Sequence, residues 1–124
     1  MTVRKVDFVG LRTARLAETA ALFRDLLGLS VVREADDLVG FRLADDTVVE
    51  LYGPGDAFHA FFSTGPVVAF QVDDFERTRD AMVKAGIPFI GEPQEADGHR
   101  WQHFHAPDGT VFELSGPAGG REPC

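Results

Sequence analysis

TVVELYGP (residues 47–54) and TVFELSGP (residues 110–117) match at six of eight positions, at an offset of 63. Each phrase is a short apolar strand with a glutamate set into it, closed by a Gly-Pro turn, and two copies in one short chain mark an internal repeat. The elements before each phrase follow the same order. VDFVGLR (6–12) alternates as a strand, with Val9 and Leu11 on one face and Phe8, Gly10 and Arg12 on the other. Leu16, Ala20, Phe23 and Leu27 then recur at helical spacing, with Thr13 as the expected N-cap and Gly28 as the stop. Extended segments follow at 30–34, 38–44 and 47–52, the last two joined by an Asp45-Asp46 turn. The second half opens on the strand PVVAFQV (66–72). Asp73 and Glu76 have the spacing of a capping box and open a helix that Gly86 ends. Residues 87–91 and 99–105 are extended, and Pro107-Asp108-Gly109 turns the chain into a last strand, 110–115. Between the halves, GPGDAFHAFFSTG (53–65) breaks both periods yet holds Phe58, Phe61 and Phe62, so it reads as a connector that packs over something.

The expected fold class is therefore α+β: two tandem β-α-β-β-β modules forming a cupped mixed sheet around a central cavity, helices outside. Module one is 5–53, the connector 54–65, module two 66–117 and the tail 118–124, all within a single domain. Composition agrees. The 124 residues carry 12 Lys+Arg against 20 Asp+Glu, a formal charge of −8 that disfavours a nucleic-acid or anionic-membrane partner. The single cysteine, Cys124, excludes an internal disulfide, and the opening MTVRKVD lacks the apolar run of a signal peptide. A cytoplasmic setting is the default expectation. Eleven phenylalanines stand against one Trp and one Tyr, a surplus that the fold must house.

LFRDLLGL (22–29), VAFQVDD (68–74) and HAPDGTVFEL (105–114), in this order and duplicated, resemble the vicinal oxygen chelate superfamily of glyoxalase I, bleomycin-resistance proteins and extradiol dioxygenases. The resemblance implies paired modules, frequent homodimers and, in the enzymes, a divalent metal held by one ligand from the first and one from the last strand of each module. It leaves the reaction open, because this fold serves many chemistries. Carried over position by position, the last-strand glutamates are Glu50 and Glu113. The first-strand positions, usually His or Gln, fall on Phe8 and Val67, which coordinate nothing. Two carboxylates alone make a weak site for a catalytic metal, so no metal cofactor is expected, with a divalent ion on Glu50, Glu113 and His103 as the alternative.

If Pro107-Asp108-Gly109 is the loop, Ala106 opposes Thr110, His105 opposes Val111 and His103 opposes Glu113. Trp101, His103 and His105 then share the face of Glu113, whereas Phe104, Phe112 and Leu114 pack against the helix. His103 beside Glu113 is the candidate catalytic pair; it serves equally well as a purely structural neutraliser of a buried carboxylate. Phe8, Glu50, Tyr52, Val67, Trp101, His105, Phe58, Phe61 and Phe62 are the candidate ligand contacts. Arg12 is a further candidate for an anionic group, and His59 is either a rim contact or plain surface. Three readings follow: a metal-free protein that binds a small aromatic or apolar ligand, an enzyme of lyase, isomerase or dioxygenase type, and a module whose cavity its own side chains fill.

Overall fold

A computed structural model describes residues 3–118; the tail from residue 119 onward, Cys124 included, lies outside the described residues. The elements are β1 (Val3–Arg12), α1 (Leu16–Ala21), β2 (Ser30–Ala35), β3 (Leu38–Arg42), β4 (Val48–Tyr52), β5 (Val67–Val72), α2 (Phe75–Lys84), β6 (Phe89–Ala96), β7 (His99–His105) and β8 (Val111–Pro117). The fold is α+β, and the chain divides into two compact units, one of residues 7–67 and one of residues 3–6 with 68–118. None of the described helices is long and apolar enough to cross a membrane.

In the first unit the strands run in the order β2-β3-β4-β1. β1 and β4 are parallel, with Gly10 opposite Glu50 and Arg12 opposite Tyr52, and β3 is antiparallel to both β2 and β4. Leu11, Val39, Phe41, Val49 and Leu51 form the apolar face, and Leu16, Ala20 and Phe23 pack on it. Phe41 and Leu51 are completely buried. The alternation read from the sequence survives intact here, because each strand has only one face that can meet the helix.

The helix itself departs from its reading. Thr13 is not the N-cap: its Oγ1 accepts from Arg15 N–H at 3.1 Å and holds a turn, so that α1 starts three residues later with Arg15 at the cap position. From Leu22 to Leu26 the chain widens into a π-type turn in which Leu27 N–H donates to Leu22 C=O. The extra residue per turn rotates the following side chains away from the strands. Leu27, expected on the buried stripe, is consequently 62% exposed and Leu26 80%. Gly28 does end the segment, at φ +72°.

The second unit repeats the plan as β5-β8-β7-β6, with β5 and β8 parallel and β7 antiparallel to both β8 and β6. β6 is longer than the 87–91 expected and carries a bulge between Ile90 and Gln94. Val72, Phe75 and Leu114 form its core, with Met82, Phe89 and Phe104 against them. Phe89, Phe104, Phe112 and Phe70 follow one another at centroid spacings of 5.6, 6.0 and 5.8 Å, which houses part of the phenylalanine surplus on the helix side. The cap of α2 is Asp74 rather than Asp73. Asp74 Oδ1 accepts from Arg77 N–H at 3.0 Å, whereas Asp73 lies 3.9 Å from Arg4. A cap serves the amide three residues ahead, and that amide belongs to Arg77.

Two glycines separate steric from conformational cost. A methyl group at Gly116 would stand 2.7 Å from the Val72 carbonyl oxygen, which is backbone and cannot yield; one at Gly28 meets nothing within 4 Å. Gly116→Ala is therefore expected to destabilise by about 2–3 kcal/mol through overpacking. Gly28→Ala should cost only the about 1–2 kcal/mol of placing a Cβ in the left-handed region. Urea unfolding midpoints of the two variants check the order.

Candidate functional site

β4 brings Glu50 and Tyr52 to the face opposite the helix. Across the strands, the row through Glu50 reads Gly10, Glu50, Gly40, Arg33. A side chain at Gly40 would meet Arg33 Cβ at 3.3 Å and Glu50 Oε2 at 3.4 Å. Because Gly40 has none, Arg33 reaches over it, and its Nη1 donates to Glu50 Oε2 at 3.3 Å. The other oxygen, Oε1, accepts from the Tyr52 hydroxyl at 2.5 Å. Gly10 makes room on the opposite side, where a Cβ would come within 2.5 Å of the Phe62 ring and 2.8 Å of Phe8. A glycine inside a strand often marks such a close approach. That was the available signal for this row, and neither Gly40 nor Arg33 was singled out from the sequence.

The connector closes over the end of the same strand. His59 stacks on Tyr52 with ring centroids 3.7 Å apart and planes 13° from parallel. Phe62, 3% exposed, meets Tyr52 edge-on, and Phe61 meets Phe62 in the same way. His59 Nδ1 lies 2.6 Å from Asp56 Oδ2, and Arg12 Nη1 donates to the Asp56 carbonyl at 2.6 Å. Arg12 thus holds a backbone carbonyl of this chain. Burial pushes the Asp56 carboxyl up, but the hydrogen bond and charge of His59 and the amides of Phe58 and His59 outweigh it and hold it below its usual range. Phe58, by contrast, is 71% exposed. The connector packs as expected through Phe61 and Phe62, and His59 is a packed contact rather than plain surface.

In the second unit the corresponding row reads Ala69, Glu113, His103, Ile90. The register is the expected one, with His103 opposite Glu113 and His105 opposite Val111, and the loop closes with Ala106 N–H on Thr110 C=O. His103 Nε2 stands 3.0 Å from Glu113 Oε1, both side chains nearly buried. Trp101 is half-buried, and the His105 ring nitrogen Nδ1 lies 3.1 Å from the Gly109 carbonyl; Val67, the last residue of the first unit, is completely buried. On the reverse face Gln102, 1% exposed, accepts from Arg79 Nε at 2.6 Å and donates to Gly91 C=O at 2.8 Å. Nothing in its sequence neighbourhood signalled that structural role. A groove of about 380 Å³ in the first unit, lined by Leu29, Val32, Arg42 and Leu43 among others, includes none of the nominated site residues.

The donors bear on a metal directly. Both oxygens of Glu50 and one of Glu113 already face partners of their own unit, and the two remaining ligand positions are Phe8 and Val67. Among the described residues no three His, Cys, Asp or Glu side chains come together as a metal-binding group. The side chains present do not fit the four-ligand metal site that the resemblance implies.

Sequence and fold comparisons agree on the family. The chain belongs to the Glyoxalase/Bleomycin resistance protein/Dioxygenase superfamily, whose family model matches residues 5–114. Similar solved structures include methylmalonyl-CoA epimerase from Mycobacterium tuberculosis, at 23% identity and a TM-score of 0.71, covering 94% of this chain and 89% of that one. The Mn(II)-bound glyoxalase from Novosphingobium aromaticivorans gives 22% identity and a TM-score of 0.74 over 98% of this chain and 42% of that one. Methylmalonyl-CoA epimerase from Streptomyces coelicolor, in complex with 2-nitronate-propionyl-CoA, gives 19% and 0.67 over 98% of this chain and 100% of that one. At these identities the likeness is one of fold. No curated protein matches the chain.

Two predictions follow from this geometry. His103→Leu leaves Glu113 buried without the imidazole that faces it and should destabilise by about 3 kcal/mol, whereas His103→Leu combined with Glu113→Leu should recover most of that loss. Urea unfolding of the single and double variants measures the difference. For Asp56 the folded carboxyl is depressed, so its stabilisation is present above the usual carboxylate range and is lost as pH falls through the lowered value. Asp56→Asn should flatten the acid limb of unfolding midpoint against pH below about pH 5.

Proposed function

We propose that this protein binds a small apolar or aromatic molecule on the strand faces that carry Glu50 and Glu113, without the metal of its metal-dependent relatives. The carrying observation is that both glutamates have partners within their own units: Tyr52 and Arg33 for Glu50, and His103 for Glu113. Glu50 with Arg33 makes a wall of balanced charge, and Phe8 and Phe61 give it aromatic surface, with the buried Tyr52 and Phe62 packed behind them. In the second unit the half-buried Trp101 and His105 offer the same kind of surface; Val67, completely buried, contributes packing only, and the exposed Phe58 supplies a ring at the edge of the connector. Apolar side chains at the two imidazole positions favour burial of carbon over coordination. A homodimer in a cytoplasmic setting, with no nucleic-acid or membrane partner, belongs to the same reading.

The 3.0 Å approach of His103 to Glu113 favours a second reading, an enzyme in which this pair moves a proton on the bound molecule. Its metal-dependent form would recruit Glu50 together with the pair. The two readings separate cleanly in two measurements. Elemental analysis of protein purified without chelator should find well under one equivalent of any divalent metal; a metal near one equivalent that is lost in Glu50→Ala would overturn the metal-free reading. A thermal-shift panel of aromatic and apolar metabolites should yield a ligand that raises Tm by several degrees near saturation. A panel without a stabiliser speaks against ligand binding. Any turnover found should disappear in His103→Ala if the pair is the acid/base group.

A further inference from the structure

The connector carries an ordered array of ionisable groups, outside the family ligand positions themselves, that leads to Glu50. Asp56 Oδ2 meets His59 Nδ1 at 2.6 Å, His59 lies flat on Tyr52 at 3.7 Å, and the Tyr52 hydroxyl donates to Glu50 at 2.5 Å. The array belongs wholly to the unit of residues 7–67. We propose that His59 is a positioning residue: clamped by Asp56, it fixes the ring of Tyr52 against Glu50, and its charge state sets how firmly the connector closes over the end of β4.

Each step has a physical cause. Tyr52 is 1% exposed, so its hydroxyl can leave Glu50 only if the ring moves, and a ring sandwiched between stacked His59 and edge-on Phe62 has little room to do so. Asp56 is itself pinned, since its carbonyl accepts from Arg12 and its second oxygen accepts from Phe58 N–H at 3.1 Å. A carboxylate on Nδ1 sets the orientation of the imidazole. Phenylalanine could supply the stack, but only histidine can add charge to it. Protonated, His59 forms an ion pair with the Asp56 carboxylate and a cation–π contact with the phenol; neutral, it keeps the hydrogen bond and the stack and loses the ion-pair and cation–π attraction.

Charged groups face His59 from several elements. Asp56, on the connector itself, touches the ring. Arg12 from β1 holds the Asp56 carbonyl. Glu50 from β4 is reached through Tyr52 and is balanced by Arg33 from β2. Asp37, in the β2–β3 turn, holds Gly55 N–H at 3.3 Å and adds negative charge along the connector. A charge on the ring acts first on Asp56, the group in contact, so closure is firmer with the ring charged than with it neutral. Its relevance to a ligand rests on the function proposed above, but the clamp can be tested with no ligand at all.

The experiment follows ring resonances of His59 and Tyr52 by NMR on the full chain between pH 5 and 8, the interval in which imidazoles titrate. Tyr52 is the only tyrosine, so its signals are unique. In the parent protein the Tyr52 ring signals should move together with those of His59. His59→Phe should keep the stack, with Tyr52 ring-current shifts near those of the parent, while losing the pH-dependent movement. His59→Gln should lose both. Tyr52 signals that stay fixed while the His59 signals move, or that still move in His59→Phe, would overturn the proposal. His59→Phe also guards against misfolding, because a stacked ring without a proton is the one condition that separates positioning by charge from simple packing.

Discussion

Two glutamates set into otherwise apolar strands impose the constraint on which this protein turns. A carboxylate taken out of water must be neutralised by something, and the cost of leaving it bare is several kcal/mol. Members of this family with a central metal can use the ion. Here each unit supplies its own answer. Glu113, 7% exposed, faces His103 on the neighbouring strand. Glu50 faces Tyr52 on its own strand and Arg33 two strands away.

The two answers differ although the scaffold is repeated. In the row through Glu113 the neighbouring position on the third strand is His103, which makes the contact directly. In the row through Glu50 the equivalent position is Gly40, which makes none and instead clears the path for Arg33. One duplicated frame thus reaches charge balance once by an adjacent imidazole and once by a long arm passing over a gap. The arginine solution places a permanent charge, the histidine solution a titratable one. Proton chemistry, if the chain performs any, is therefore better suited to the second unit.

Much of this was legible in the residues because strand periodicity is strict. Once the Pro107-Asp108-Gly109 loop was placed, the pairing of His103 with Glu113 followed, since a two-residue period leaves no freedom within a regular ladder. Leu11, Phe104 and Phe112 fell on the helix side for the same reason. The helix starts were less legible. Thr13 and Asp73 both have side chains able to cap, and which residue does so depends on where the following amides point, a matter of one residue's backbone angles. Leu27 left the buried stripe because the π-type turn over Leu22–Leu26 shifted the phase of the residues after it.

What the sequence determined by itself was the repeat, the strand faces, the family and the loss of both imidazole positions to Phe8 and Val67. These depend on local spacing and residue type, which the chain states openly. Only the tertiary structure decided who neutralises Glu50, that Arg12 holds Asp56, and that His59 lies on Tyr52. Those contacts join residues 17, 44 and 7 positions apart in the chain. No periodicity relates them; they exist because β2, β1 and the connector converge on β4.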